Sequence, residues 1–125
     1  MPANTDYQQL VAAARSRIDE ITPEQARERA AQGAQLVDIR DPDEVAANPS
    51  ISGSVHISRG RLESRIAEAV PDKDTPVVLY CAGGGRGALA TDTLRQLGYT
   101  KVANLAGGLR GWRDAFGSEP SDKAG

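Results

Sequence analysis

Cys81 is the only cysteine in a chain of 125 residues. It closes the apolar run Val77-Val78-Leu79-Tyr80 and is followed at once by Ala82-Gly83-Gly84-Gly85-Arg86-Gly87. A thiol reacts as its thiolate, which for an ordinary cysteine (pKa about 8.5) is the minor form at neutral pH. Unpaired backbone N–H groups and the positive end of a helix dipole favour the anion. Three glycines expose those amides, since they carry no side chains and reach positive φ without penalty. A loop from Cys81 to Arg86 can therefore curl until its N–H groups converge above the sulfur. Arg86 adds a fixed positive charge at the rim, in a planar fork suited to oxyanions. The pattern describes an anion-binding loop with a nucleophilic sulfur at its base.

A lone cysteine at a strand end is often only a small apolar filler. A filler explains neither three flexible residues nor the arginine. Two other glycine-loop chemistries fail on content. A P-loop needs a Lys-Ser or Lys-Thr pair after its last glycine, and none occurs here. Gly83, Gly85 and Ala88 match a dinucleotide-binding fingerprint, but the chain left after Asn104-Leu105 is too short for the remaining sheet.

The elements that must position Cys81 read clearly. A continuous apolar run is the mark of a strand buried on both faces in a parallel sheet. Ala88 to Leu97 follows as a helix with Leu89, Ala90, Leu94 and Leu97 inward, and Gly98 stops it. Cys81 thus lies at the carboxyl end of a central strand, where open α/β sheets place their ligand sites.

Upstream, Leu10, Val11, Ala14 and Ile18 keep helical spacing from Tyr7 onward, after a loose Met1–Asp6. This amphipathic helix can pack across the main fold or support self-association as a homodimer. Thr22-Pro23-Glu24-Gln25 forms a helix start with a capping box, and Gly33 ends that helix. Gln35 to Ile39 reads as the first strand of the sheet. Asp41-Pro42-Asp43-Glu44 opens a short helix that stops at Asn48-Pro49. Asp38 and Arg40 stand two apart, so on an extended strand they share a face, as an ion pair pinning the strand end or as direct participants in chemistry. Val55-His56-Ile57 is a short strand, and His56, the only histidine, is expected to be a hydrogen-bonded structural residue more readily than a partner of Cys81. Leu62, Ile66 and Val70 mark another helix, Pro71–Asp74 a turn, Lys101–Leu105 the next strand, and Leu109, Trp112 and Phe116 the stripe of a last helix. Gly117–Gly125 reads as a disordered tail. Strands alternating with helices argue a mostly parallel sheet covered on both faces.

Length and composition set the frame. The chain is long enough for one domain with its own core, and a net charge of −2 gives no support to nucleic-acid binding. One cysteine forms no internal disulfide, and with one histidine it builds no cysteine–histidine zinc site. No apolar run approaches membrane-spanning length and no signal-peptide core is visible, so no membrane contact and a cytoplasmic setting, where thiols stay reduced, are expected.

With these pieces placed, the chain resembles the rhodanese-like domain in its single-domain form. The resemblance runs over residues 21–116, with residues 1–20 as an N-terminal helical extension and 117–125 as a tail. It is carried by Leu36-Val37-Asp38-Ile39-Arg40 with Pro42 and Glu44, and by Ile51-Ser52-Gly53-Ser54-Val55-His56-Ile57. Val78-Leu79-Tyr80-Cys81 with Arg86, and Leu105-Ala106-Gly107-Gly108 with Trp112, complete it. The resemblance implies a three-layer α/β fold and sulfurtransferase activity. It implies that Cys81 takes a sulfane sulfur from thiosulfate or a persulfide, small or protein-borne, and passes it to a thiol or cyanide. It implies that Ala82, Gly83, Gly84, Gly85 and Arg86 cradle the substrate, that Asp38 and Arg40 support the loop, and that no metal or organic cofactor takes part.

Loop length bears on the branch of the family. Four residues separate Cys81 from Arg86, the sulfurtransferase spacing, whereas the related phosphatases and arsenate reductases typically carry one more. Three positions depart from the common pattern: Ser50 stands where many members have histidine, Ser58 replaces a proline, and Gly87 replaces a serine. Two further readings therefore stand beside the sulfurtransferase: a non-catalytic binding or sensor module, and an arsenate- or phosphate-ester enzyme.

Overall fold

The computed structural model describes residues 5–118. Its centre is a sheet of five parallel strands, β1 (Asp19–Ile21), β2 (Gln35–Asp38), β3 (Val55–His56), β4 (Val77–Tyr80) and β5 (Val102–Leu105), in the order β1-β5-β4-β2-β3. Around it lie α1 (Thr5–Arg15), α2 (Pro23–Ala31), α3 (Pro42–Ala47), α4 (Leu62–Ala69), α5 (Gly85–Gln96) and α6 (Gly108–Phe116). The α/β fold read from the alternation of elements is present, and the sheet is parallel throughout.

Side chains on a strand alternate between faces, and the core divides accordingly. Val77, Leu79 and Cys81 join Val37 and Ile39 against Leu62, Ile66, Ala90 and Leu94. Val78 and Tyr80 join Leu36, Ala103 and Leu105 against Ala26, Leu109 and Trp112 on the other face. β4 is buried along its whole length, which is why its residues read as an unbroken apolar run. Trp112 packs in this core edge-on to Phe116, with ring centroids 4.8 Å apart.

Two elements differ from expectation. β1 is a strand that apolar spacing does not reveal, because only Ile21 of its three residues is buried; it is held by register with Ala103, Asn104 and Leu105 of β5. On α1 the inward residues are Val11 and Ala14, while Leu10 points to solvent at 61% exposure. The helix lies along α5 instead of capping the sheet. The turn after it is tied down by Arg17, whose Nη2 donates to Asp92 of α5 at 2.7 Å. Residues 1–4 and 119–125, including most of the expected tail, lie outside the described residues.

Candidate active site

β4 delivers Cys81 to the carboxyl edge of the sheet, and the chain then turns through the glycines into α5. The helix begins at Gly85, earlier than the apolar spacing suggests, so Arg86 and Gly87 stand in its first turn. Gly84 makes the turn possible with φ of 116°, a left-handed conformation suited to glycine. Cys81 Sγ is buried and accepts N–H groups from Gly84 at 3.0 Å and Gly87 at 3.3 Å. Ala88 N–H bonds back to Gly84 O, so the amides of Gly85, Arg86 and Gly87 precede the first intrahelical bond. Gly87 spends its amide on the sulfur, and those of Gly85 and Arg86 belong to the same positive helix end.

Arg86 is held by a second element. Its Nη1 and Nη2 donate to Glu44 Oε1 and Oε2 of α3 at 2.7 and 2.9 Å. Glu44 Oε1 also accepts the Asp41 amide at the start of α3. The Arg86 hydrogen bonds, then the Asp41 amide, hold the Glu44 carboxyl down at about 2, and Glu44 in turn raises the Arg86 guanidinium.

Beneath α3 lies the Asp38–Arg40 pair, fully inside the protein. Arg40 Nε and Nη2 donate to the Asp38 carboxylate at 3.0 and 2.7 Å, and Ser50 Oγ donates to it at 2.6 Å. Burial pushes the Asp38 carboxyl up, but hydrogen bonds from Arg40 and Ser50 outweigh it and the net shift is downward. Arg40 also donates to the carbonyls of Asn48 and Glu44, gripping the end of α3. Tyr80 closes the same region by accepting the Ile51 amide at 2.9 Å, and burial pushes its hydroxyl up to about 12.

Gly107 and Gly108 form the loop's other wall. Both have positive φ, and α6 starts so close to the loop that Leu109 N–H bonds to Cys81 O and Arg110 N–H to Ala82 O. Between α3 and α6 opens a cleft of about 550 Å³ whose lining includes Arg40, Glu44, Ala82, Leu109, Arg110 and Arg113.

The structure thus brings Cys81, Ala82–Arg86, Asp38 and Arg40 into one region. His56 is exposed and bonds through Nε2 to Arg40 O at 2.7 Å, a structural position. Spacing did not point to Glu44 as the partner of Arg86, to Ser50 as a donor to Asp38, to Asn104, or to Arg110. Asn104 carried one signal, as the single polar residue of an otherwise apolar strand.

Residues 22–115 match the model of the rhodanese-like domain. The chain belongs to the rhodanese-like domain family. Among curated relatives, this rhodanese-like chain is 41% identical over 101 residues to the thiosulfate sulfurtransferase GlpE of Pseudomonas aeruginosa, covering 81% of this chain and 89% of that one. A polysulfide-sulfur transferase homodimer from Wolinella succinogenes superposes with a TM-score of 0.75 at 33% identity, covering 90% of this chain and 85% of that one. A protein of unknown function from Rhodopseudomonas palustris, described as a possible tyrosine phosphatase, superposes at 0.83 with 34% identity, covering 94% and 96%. Ser50, at a position often held by histidine in rhodanese-like domains, performs a polar task here by bonding Asp38.

Proposed function

We propose that this rhodanese-type sulfurtransferase carries its sulfur on Cys81 in two nucleophilic steps. The Cys81 thiolate attacks the outer sulfur of the donor; the donor's bond to that sulfur breaks, and the electron pair departs with the remainder, sulfite when thiosulfate is the donor. Cys81 is left as a persulfide. A thiolate or cyanide then attacks the terminal sulfur, the sulfur–sulfur bond to Sγ breaks, and Cys81 recovers its thiolate. Dividing one transfer between two covalent steps is the advantage of such catalysis.

The observation that carries this reading is the pair of amides, Gly84 and Gly87, converging on the buried sulfur. They stabilise negative charge on Sγ before the reaction and again when the persulfide discharges. Ala82 to Arg86 present only hydrogen and methyl side chains apart from the arginine, so donor anions are held by backbone amides. Asp38 acts at a distance: it fixes Arg40, Arg40 fixes α3, and Glu44 of α3 holds Arg86. Six residues from Cys81 to Arg86 inclusive favour sulfur over a phosphate ester. Sulfur donors and thiol acceptors suit a reducing setting such as the cytoplasm. The outward Leu10 of α1 offers a surface for a homodimer.

Intact-protein mass spectrometry after incubation with thiosulfate, and separately with glutathione persulfide, tests the proposal. The expected result is one added sulfur on the wild type, absent in Cys81→Ser and discharged by cyanide. No added sulfur on folded protein with a free thiol would favour a binding or sensor module. Turnover of a generic aryl phosphate would favour the phosphate-ester enzyme.

A further inference from the structure

The loop's own arginine is not its free cation. Arg86 is neutralised by Glu44 through two hydrogen bonds, and Arg40 by Asp38. Arg113, which lines the cleft, donates to Pro49 O. Arg110 differs. Its backbone is fixed on the loop, N–H to Ala82 O at 3.1 Å. Its guanidinium lies beside Gly83, where a β-carbon would sit 3.2 Å from Nη2 and 3.6 Å from Cζ. Arg110 is solvent-exposed, and among the described residues its side chain takes no hydrogen bond or ion pair. An unspent planar cation therefore rests beside Gly83, two residues from Cys81, and lines a cleft of about 550 Å³. That volume lies in the range of small-molecule sites and far exceeds what a five-atom inorganic donor occupies.

We propose that Arg110 is a specificity-determining residue: it binds an anionic oxygen group on the molecule that exchanges sulfur with Cys81, and so selects carboxylate- or sulfonate-bearing partners. The proposal rests on the reading of Cys81 as the sulfur carrier. The bare inner surface of the loop explains why the task falls to α6. With hydrogen and methyl side chains from Ala82 to Gly85, the loop offers backbone amides and no side chain to read the rest of the molecule. Asp43 and Asp114 line the same cleft, so an anion gains only where it reaches the guanidinium. A fork of N–H donors holds a carboxylate or sulfonate more specifically than a point charge does.

The test compares wild type, Arg110→Ala, Arg110→Lys and Arg110→Glu against three acceptors of similar size: 3-mercaptopropionate, 2-mercaptoethanol and cysteamine. The ratio of variant to wild-type kcat/KM for each acceptor cancels intrinsic thiol reactivity. In Arg110→Ala the preference for 3-mercaptopropionate over 2-mercaptoethanol falls about tenfold, chiefly in KM. Arg110→Lys restores part of it, Arg110→Glu reverses it toward cysteamine, and high salt erodes it in the wild type. A parallel arm measures single-turnover loading by thiosulfate, which separates a role toward the donor's sulfonate from one toward the acceptor's carboxylate. Equal ratios for all three acceptors together with unchanged thiosulfate loading, in an active wild type, would overturn the role of Arg110 alone. A wild type that accepts no sulfur from any donor would overturn the sulfur-carrier reading with it.

Discussion

Asn104 on β5 and Gly87 in the first turn of α5 compete for one volume: a β-carbon on Gly87 would collide with Asn104 Oδ1. Gly87 supplies one of the two amides on the sulfur, and Asn104 Nδ2 donates to the carbonyl of Gly84, which supplies the other. A single side chain from β5 thus sets both ends of the sulfur cradle. The absence of the usual serine at 87 follows from this, because the room for its side chain is taken.

Gly87→Ser is therefore expected to destabilise the protein by about 1–3 kcal/mol, as overpacking does in a filled interior. Asn104→Ala loses the hydrogen bonds to Gly84 O and Glu20, but it also opens the space. In a double-mutant cycle by urea unfolding, the two changes together should cost clearly less than their sum. Strict additivity would mean the two residues do not share the volume.

Breaking the Asp38–Arg40 pair is expected to be costly on this side of the sheet. Removing one partner of a buried pair leaves a charge without compensation, at about 3–5 kcal/mol. Asp38→Asn keeps the shape and removes the charge, so its effect measures that penalty. Asp38→Leu combined with Arg40→Met should recover much of the stability in urea melts but little of the transfer rate, since α3 then loses its hold on the Asn48 and Glu44 carbonyls. Full recovery of activity in that double variant would show that the pair does not position the loop.

What the sequence made legible, and what it hid, divides along chain distance. Cys81, the glycines and Arg86 are contiguous, and their chemistry follows from residue type. Asp38 and Arg40 stand two apart, so the strand period alone puts them on one face. Glu44 was visible as the closing residue of a helix cap, and it does bond the Asp41 amide. Its second task, gripping Arg86 across 42 positions, depends on how α3 is laid against α5. Arg110 reads as an ordinary exposed helix residue until the turn at Gly107 and Gly108 sets it on the loop. β1 was hidden because a three-residue edge strand with one buried side chain has no period to detect.

Glu44 also gives the loop an acid sensitivity with a definite sign. Its folded value, about 2, lies below its unpaired value of 4.5, so the stabilisation is complete above pH 4.5 and fades as the pH falls toward 2. Glu44→Gln removes the titrating group. Wild type is expected to lose more stability than Glu44→Gln between pH 5 and pH 2, with the two curves running parallel above that window. Asp38 and Asp92, also shifted downward, contribute equally to both proteins and cancel in the comparison. Parallel curves throughout would mean that the Arg86–Glu44 pair adds no stability in solution.

Gly108 offers the sharpest separation of backbone strain from contact. Its φ of +59° already disfavours any other residue, and a β-carbon there would lie 2.5 Å from Cys81 O and 2.7 Å from the Ala82 carbonyl carbon. These are backbone atoms of the reactive loop and have no rotamer by which to yield. Gly53 is the matched control, with φ of +87° and nothing within 4 Å of the added carbon. Gly53→Ala should cost about 1–2 kcal/mol, the price of the left-handed conformation alone. Gly108→Ala should cost clearly more, and in whatever fraction stays folded it should slow persulfide formation, because α6 can relieve the clash only by moving the Cys81–Ala82 backbone. Equal losses in the two variants, with persulfide formation unaffected, would mean that α6 does not brace the loop.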